Sequence, residues 1–224
     1  EGHYTKFASV SDDTPLAAIG LAIDSERRIL WAIGTGSFLV DGFDQDGPVV
    51  SGVFGFDLAS GERLHAYTRD DVDFGYNDVA VAPNGDLYLS GSTIGFLPRD
   101  GDAIQTLETS EPVFGSNGIL VMPDGATLIT SSYPAGIAVI RLGDGETTFL
   151  RAPDNVALYG IDGMYLYEGD LIAVQHGARP WRLMRFALNA GLSAITKATV
   201  LELGDERLVA TTGAIVGDRI HLVG

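Results

Sequence analysis

Three side chains that carry oxygen ligands recur at one position of a repeated sequence unit. Asn77, Asn117 and Asp162 each stand at the start of a short apolar run, at intervals of about 40 to 45 residues. Amide and carboxylate oxygens are the ligands that Ca²⁺ takes in proteins. If the fold brings the three positions together, they can hold calcium or another divalent cation.

A local structural role is the alternative for each residue taken singly. Asn and Asp often satisfy backbone groups at a junction between a loop and a strand, especially before glycine. Such a role does not require the same place in successive repeats. The shared position of Asn77, Asn117 and Asp162 therefore favours a metal site.

Each repeat has the pattern of a β-hairpin. An apolar run leads into a turn and then a second apolar run, and the turns at Asn84-Gly85, Asp124-Gly125 and Glu168-Gly169 contain residues that tolerate positive φ. Five copies are present, and they begin at Ile19, Asn77, Asn117, Asp162 and Thr212 or its neighbour Thr211.

A weaker second hairpin follows four of the copies, with turns at residues 56–62, 98–102, 141–146 and 187–193. Four strands per repeat make a blade of a β-propeller. An ordinary β-sandwich, the alternative, does not need paired hairpins at a fixed period. We predict an all-β fold and one β-propeller domain over residues 1–224, built from four-stranded antiparallel blades.

The fifth copy ends at Gly224 without an outer hairpin. We therefore expect the last blade, or some of its strands, to be incomplete in this chain. The segment His3–Val10 alternates in a strand-like way, and we expect it to supply a closing strand.

The loops that follow the second strand of each blade return to the rim where the inner strands begin. On these loops we predict Tyr133, His176 and Arg179 as substrate-binding residues, together with Thr212 at the start of the fifth hairpin. Simple solvation is the alternative for a histidine or arginine on a loop.

Charge and composition exclude several classes of function. The chain has 30 acidic and 14 basic residues and a formal charge of −16, which would repel the phosphates of a nucleic acid. It has no cysteine, which excludes disulfides and thiolate chemistry. No apolar stretch approaches the roughly 18 residues of a membrane span. We expect a soluble protein, and export to the periplasm or outside the cell with loss of a signal segment is one interpretation.

The residues at the inner-strand starts resemble a known superfamily. Asn77-Asp78, Asn117-Gly118 and Asp162-Gly163-Met164 look like the corresponding motifs of the gluconolactonase, regucalcin and diisopropyl-fluorophosphatase proteins, which are strictosidine-synthase-like six-bladed propellers. The resemblance implies a calcium ion on the propeller axis and hydrolysis of lactones or phosphotriesters.

Carried over by position, Asn77, Asn117 and Asp162 match three metal ligands of that superfamily. Asp162 also matches its proposed base or nucleophile. The fourth ligand does not match, because Ile19 stands before Gly20 where the superfamily has a glutamate. We expect the missing carboxylate to weaken the cation affinity, unless a water, a backbone carbonyl or Asp78 takes its place.

These observations lead to two expectations of function. The first is a metal-dependent lactone hydrolase that acts on a small-molecule substrate with an axial calcium and Asp162 as the catalytic residue. The second is a non-catalytic propeller that binds a small ligand or a partner at the same rim. Strictosidine-synthase-like condensation, a third class, needs a catalytic glutamate that the sequence does not place.

Overall fold

The computed structural model describes residues 5–11, 14–37, 40–44, 46–204 and 210–223. These residues form antiparallel sheets in which each strand pairs with the next along the chain. Among them, no helix is long and apolar enough to cross a membrane. The chain divides into two compact units, Glu1–Thr106 and Leu107–Gly224, and the prediction of a single domain stays a prediction.

The first unit contains two four-stranded sheets. One consists of β1 (Leu16–Asp24), β2 (Ile29–Gly36), β3 (Ser51–Asp57) and β4 (Arg63–Arg69). The other consists of β5 (Tyr76–Val81), β6 (Leu87–Gly91), β7 (Gly95–Leu97) and β8 (Gln105–Thr106).

The second unit contains two four-stranded sheets and a hairpin. The sheets are β9 (Ser116–Val121), β10 (Thr127–Ser132), β11 (Gly136–Arg141) and β12 (Thr147–Phe149), and β13 (Ile161–Tyr167), β14 (Asp170–Gln175), β15 (Arg182–Leu188) and β16 (Ile195–Leu203). The hairpin is β17 (Thr212–Val216) and β18 (Arg219–Val223).

This architecture confirms the predicted all-β fold and four-stranded antiparallel blades. Within the described residues, the fifth repeat forms its inner hairpin and no outer one, as expected. The predicted closing strand is wrong for residues 5–10, which form no strand. Val10 instead packs into a small cluster with Ala32, Phe54 and Phe56. His3 and Tyr4 lie outside the described residues.

Each unit has an apolar core between its two complete sheets. In the first unit Trp31 and Val53 pack against Leu87 and Leu89. The middle strands are buried along most of their length, so their sequences are nearly continuous apolar runs rather than alternating ones. In the second unit the core consists mainly of these buried side chains: Ile129, Ile137, Ile161, Leu171, Met184 and Phe186. Burying one such side chain contributes about 1.5–3 kcal/mol.

The pairing register shifts in the innermost strand of every complete blade. The shifts lie at the positions that the sequence analysis singled out, Ile19-Gly20, Asn77-Asp78, Asn117-Gly118 and Asp162-Gly163. A bulge of this type takes residues out of the ladder and re-aims their side chains. The hairpin β17–β18 pairs without such a shift.

Glycine after the shifted residue allows neighbouring inner strands to approach closely. A Cβ on Gly118 would lie 2.5 Å from the carbonyl oxygen of Asp162 and 2.6 Å from the backbone nitrogen of Met164. In the first unit a Cβ on Gly20 would lie 2.5 Å from the carbonyl oxygen of Asn77. The obstructing atoms belong to the backbone, so no side-chain rotation can relieve the contact.

Gly118→Ala should therefore lower the free energy of unfolding by about 1–3 kcal/mol, the usual cost of forcing extra atoms into a packed site. Gly143→Ala is the matched control, because nothing lies within 4 Å of its added Cβ. Urea denaturation of both variants measures the difference. Equal stability of the two variants would contradict the close approach.

Candidate functional site

Asp162 lies in the second unit with its two carboxylate oxygens facing different partners. Oδ1 accepts a hydrogen bond of 2.5 Å from Nδ2 of Asn117. Oδ2 lies 3.4 Å from Nδ1 of His176, and the Asp162 side chain is 18% exposed. Three residues that the sequence analysis named are thus brought together, although they come from three different strands or strand ends.

The backbone on either side of Asn117 accepts hydrogen bonds from hydroxyl groups of the adjacent strand β10. The Thr130 hydroxyl donates to the carbonyl of Gly118 at 3.1 Å. The Ser132 hydroxyl donates to the carbonyl of Phe114 at 2.8 Å. These bonds satisfy backbone acceptors on both sides of Asn117, where the register shift has broken the regular ladder. These hydrogen bonds therefore stabilise the register shift.

Burial raises the pKa of the Asp162 carboxyl above its ordinary value, and the neighbouring His176 and the hydrogen bond from Asn117 only partly oppose this effect. Taking a carboxylate out of water disfavours its charged form. A carboxylate with a raised pKa is a stronger proton acceptor than an exposed aspartate. A carboxyl group of this kind suits general-base chemistry, and that role stays a prediction for Asp162.

His176 is positioned by a buried hydrogen-bond network around the residue before it. The Gln175 amide donates to the carbonyls of Ala157 at 3.0 Å and Tyr159 at 2.7 Å. The Arg182 guanidinium donates to its amide oxygen at 2.7 Å. With Gln175 fully buried, the end of β14 is rigidly placed, and this fixes the backbone that presents His176.

Tyr133 also belongs to this site. A Cβ on Gly177 would lie 2.4 Å from the Tyr133 hydroxyl oxygen, so the phenol lies against the residue after His176. Burial raises the pKa of Tyr133, and the negative charge of Asp162 raises it further. The two side chains are therefore close enough to interact electrostatically.

The other two predicted substrate-binding residues have different surroundings. The Arg179 guanidinium lies over the Trp181 ring at 4.1 Å from its centroid, and the His176 ring lies 5.4 Å from the same ring. Thr212 forms a hydrogen bond of 2.9 Å with the hydroxyl of Tyr165. Arg179 is thus one aromatic ring away from His176, whereas Thr212 is engaged with the neighbouring strand β13.

Asn77 occupies the equivalent place in the first unit. It lies at the register shift of β5, and the backbone nitrogen of the next residue, Asp78, donates to the Ser90 hydroxyl at 3.0 Å. Ile19, at the shift of β1, is 37% exposed. The role of Asn77 as a metal ligand stays a prediction.

The donors around Asp162 fit a hard cation in type but supply little charge. The amide of Asn117 presents its nitrogen to Asp162, and a 180° turn of this amide would present its oxygen instead. One amide oxygen and one carboxylate are ligands that calcium accepts. In the part of the chain that the structure describes, no group of three acidic or histidine side chains is placed to hold a metal ion.

The sequence analysis missed two contributors to this site. Gln175 and Arg182 were not identified, because a buried amide at a strand end has no sequence pattern of its own. The sequence analysis also missed a recurring pair of residues. In three successive repeats an aromatic residue stands three residues before the site residue, and a glycine follows it: Phe74-Gly75, Phe114-Gly115 and Tyr159-Gly160. This second signal was available in the sequence.

Comparison with solved structures identifies the fold. A chain in the crystal structure of a nidogen–laminin complex is similar, with a TM-score of 0.66 and 17% identity over 93% of this chain and 72% of that chain. Virginiamycin B lyase from Staphylococcus aureus, solved with quinupristin as a catalytically inactive variant, has a TM-score of 0.61 and 14% identity, over 92% of this chain and 76% of that chain. The fold is a β-propeller.

A glucose dehydrogenase-like oxidoreductase from Thermus thermophilus is also similar, with a TM-score of 0.57 and 14% identity over 94% of this chain and 78% of that chain. The sequence matches no family model and no curated protein. At such low identity the likeness concerns the propeller fold alone. The similar propellers include enzymes and a chain from a protein complex, so the fold is compatible with catalysis and with binding.

The raised pKa of Asp162 has a measurable effect on stability. The stability that this raised pKa contributes is fully present below the pKa that Asp162 has in the unfolded chain. It is lost as the pH rises through the folded-state pKa. Relative to Asp162→Asn, which cannot titrate, the wild-type protein should therefore lose stability between acidic and neutral pH. Melting temperatures of both proteins across this range measure the trend.

Asp24→Asn is the control with the opposite sign. Burial acts to raise the pKa of Asp24, but hydrogen bonds from the Arg27 backbone and guanidinium, together with its charge, lower it overall. Wild-type protein should therefore be more stable than this variant at neutral pH, and should lose the advantage as the pH falls. The same trend in both pairs would contradict the assignment for Asp162.

Proposed function

We propose that this propeller is a hydrolase of small cyclic esters, in which Asp162 is the catalytic residue. The observation that supports the proposal most strongly is the arrangement around Asp162, with Asn117 bonded to one carboxylate oxygen and His176 near the other. A half-buried base held between two polar partners is an arrangement that can activate water.

The reaction requires few steps. Asp162 accepts a proton from a water molecule, and the water oxygen bonds to the carbonyl carbon of the lactone. The bond between that carbon and the ring oxygen then breaks, and the ring oxygen receives the proton. The product is an open-chain hydroxy acid. His176, 3.4 Å from Asp162, is placed to orient the carboxylate or to pass the proton to the leaving oxygen.

Asn117 and Asp162 are the residues of the second unit that would hold a divalent cation, with calcium the cation that best suits their oxygens. When bound, such a cation polarises the lactone carbonyl as a Lewis acid. Burial disfavours the charged form of the Asp162 carboxylate, and His176 and Asn117 only partly oppose this effect. A bound cation would stabilise the charged form further. We therefore propose that the hydrolase is metal-dependent.

The resemblance to the gluconolactonase and regucalcin proteins supports the same reaction class. Asn77, Asn117 and Asp162 occupy the matching places, and in the second unit Asn117 and Asp162 are direct neighbours. Ile19 stands where a carboxylate ligand is expected from that resemblance, so we expect cation affinity below that of a site with two carboxylates.

Asp162→Asn should lower kcat/KM for lactones by about 10²-fold or more, the range that general-base catalysis contributes. The variant retains the shape of the side chain and an oxygen for Asn117. Asp170→Asn is the matched control, because Asp170 lies in the same sheet at the other end of the hairpin β13–β14 and bonds to Arg185 at 2.6 Å. A lactone panel with pH-stat detection measures both variants, and unchanged turnover in Asp162→Asn would exclude the mechanism.

Calcium binding should depend on Asn117 and Asp162. Calorimetric titration of the chelator-treated protein with calcium should give a saturable isotherm, and Asn117→Leu should weaken the affinity by tenfold or more, because one oxygen ligand is lost. Asn189→Leu, a change at an amide in the turn between β15 and β16, is the control. An identical isotherm for Asn117→Leu would remove Asn117 from the metal site.

A non-catalytic binding propeller is the second candidate. Ile19 favours it, because its apolar side chain replaces a ligand of the superfamily that this chain resembles. Metal binding by the wild-type protein without turnover of any lactone in the panel would support this candidate over the hydrolase.

A further inference from the structure

An aromatic side chain precedes the site residue in three successive repeats, and each of these side chains is exposed. Phe74, Phe114 and Tyr159 are 84%, 66% and 51% exposed. Each is followed by a glycine with positive φ, namely Gly75 at 72°, Gly115 at 54° and Gly160 at 70°. Because other residues rarely adopt this conformation, the glycine permits the local backbone that presents the aromatic ring.

Packing does not explain the exposed rings. Single exposed apolar side chains are common, but a contiguous exposed apolar patch marks a binding surface, and recurrence at one position of the repeat sets these rings apart. In the second unit, Tyr133 is a further exposed aromatic residue at 37%. We call Phe114, Tyr133 and Tyr159 the aromatic rim.

The loops of the aromatic rim are bonded to one another by backbone hydrogen bonds. The nitrogen of Tyr133 donates to the carbonyl of Gly115 at 3.0 Å, and the nitrogen of Gly160 donates to the carbonyl of Tyr133 at 2.8 Å. The nitrogen of Gly177 donates in turn to the carbonyl of Gly160 at 2.9 Å. Four loops of the second unit, three of which carry the aromatic rim, are therefore held together by backbone hydrogen bonds.

The same surface is continuous with the candidate site. Gly177 follows His176 in the chain, and the Tyr133 hydroxyl lies against Gly177. Burial raises the pKa of Tyr133, and the charge of Asp162 raises it further. The carbonyl of Tyr159 accepts the hydrogen bond from the Gln175 amide. A substrate whose ester group lies at Asp162 is thus next to the loops that carry the rim.

We propose that the aromatic rim binds an apolar group of the substrate, so that the enzyme prefers lactones with an aryl or alkyl group to polyhydroxylated lactones. This inference rests on the proposed function. Aromatic side chains contribute large apolar contact areas and favour stacking on flat ligands.

The polar groups of the site support the same preference. A polyhydroxylated ligand needs many hydrogen-bond partners, and an unpaired polar group on either side costs affinity. Asn117 and Asp162 are already bonded to each other, and Arg179 lies over the Trp181 ring. Three exposed rings therefore offer apolar contact beside Asn117 and Asp162, which already have polar partners.

The test compares 3,4-dihydrocoumarin, an aryl-fused lactone, with D-glucono-1,5-lactone. In the double variant Phe114→Ala, Tyr159→Ala, KM for dihydrocoumarin should rise about tenfold or more with kcat nearly unchanged, because the lost contacts act on binding. KM for gluconolactone should change less than about twofold. Phe7→Ala is the control, because Phe7 is an exposed aromatic residue at 46% outside the repeated motif. Equal changes for both lactones, or none, would overturn the proposal.

A binding measurement separates this inference from the proposed hydrolase. Chroman has the fused rings of dihydrocoumarin without the ester carbonyl, and saturation-transfer NMR can detect its binding. Wild-type protein and Asp162→Asn should bind it equally, and the double variant should lose the signal. If wild-type protein hydrolyses no lactone but chroman binding follows this pattern, the hydrolase fails and the rim stands. If chroman does not bind to the wild-type protein, the rim proposal fails whatever the activity.

Discussion

The close approach of neighbouring inner strands is the constraint on which the arrangement of each unit depends. In the second unit the strand containing Gly118 passes the strand containing Asp162 at a distance that leaves no room for a Cβ. The same relation holds between Gly20 and Asn77 in the first unit. Because the contact joins two backbones, it sets the lateral position of one blade against the next. The register shifts at the same places then determine which side chains leave the ladder.

A costly group lies beside this contact. The carboxylate of Asp162 is partly withdrawn from water, which disfavours its charge, and its partners reduce that cost without removing it. A protein selected for stability alone would have an uncharged residue here. An acid at a bulged position, with Asn117 bonded to it, is the arrangement on which the proposed hydrolase relies.

Much of this organisation could be predicted from the sequence because it is periodic. The repeated hairpins, the turns at Asn84-Gly85 and Asp124-Gly125 and the shared place of Asn117 and Asp162 each follow from local chemistry at a fixed interval. The bond between Asn117 and Asp162 could not be predicted, because it depends on how far two strands are apart. The role of Gln175 could not be predicted either, because its three hydrogen bonds join it to groups 7, 16 and 18 residues away in the chain. The closing strand predicted in the N-terminal segment was wrong, because an alternating sequence does not by itself provide a neighbouring strand to pair with.

The backbone hydrogen bonds that join Gly115, Tyr133, Gly160 and Gly177 couple the loops mechanically. A ligand that displaces one loop must strain the bonds to the next, so the loops resist independent opening. Thermal fluctuations at the rim should therefore be collective, with the amide protons of Tyr133, Gly160 and Gly177 exchanging with solvent at similar rates. Sites with this property lose little conformational entropy when they bind, because their loops are already ordered before a ligand arrives.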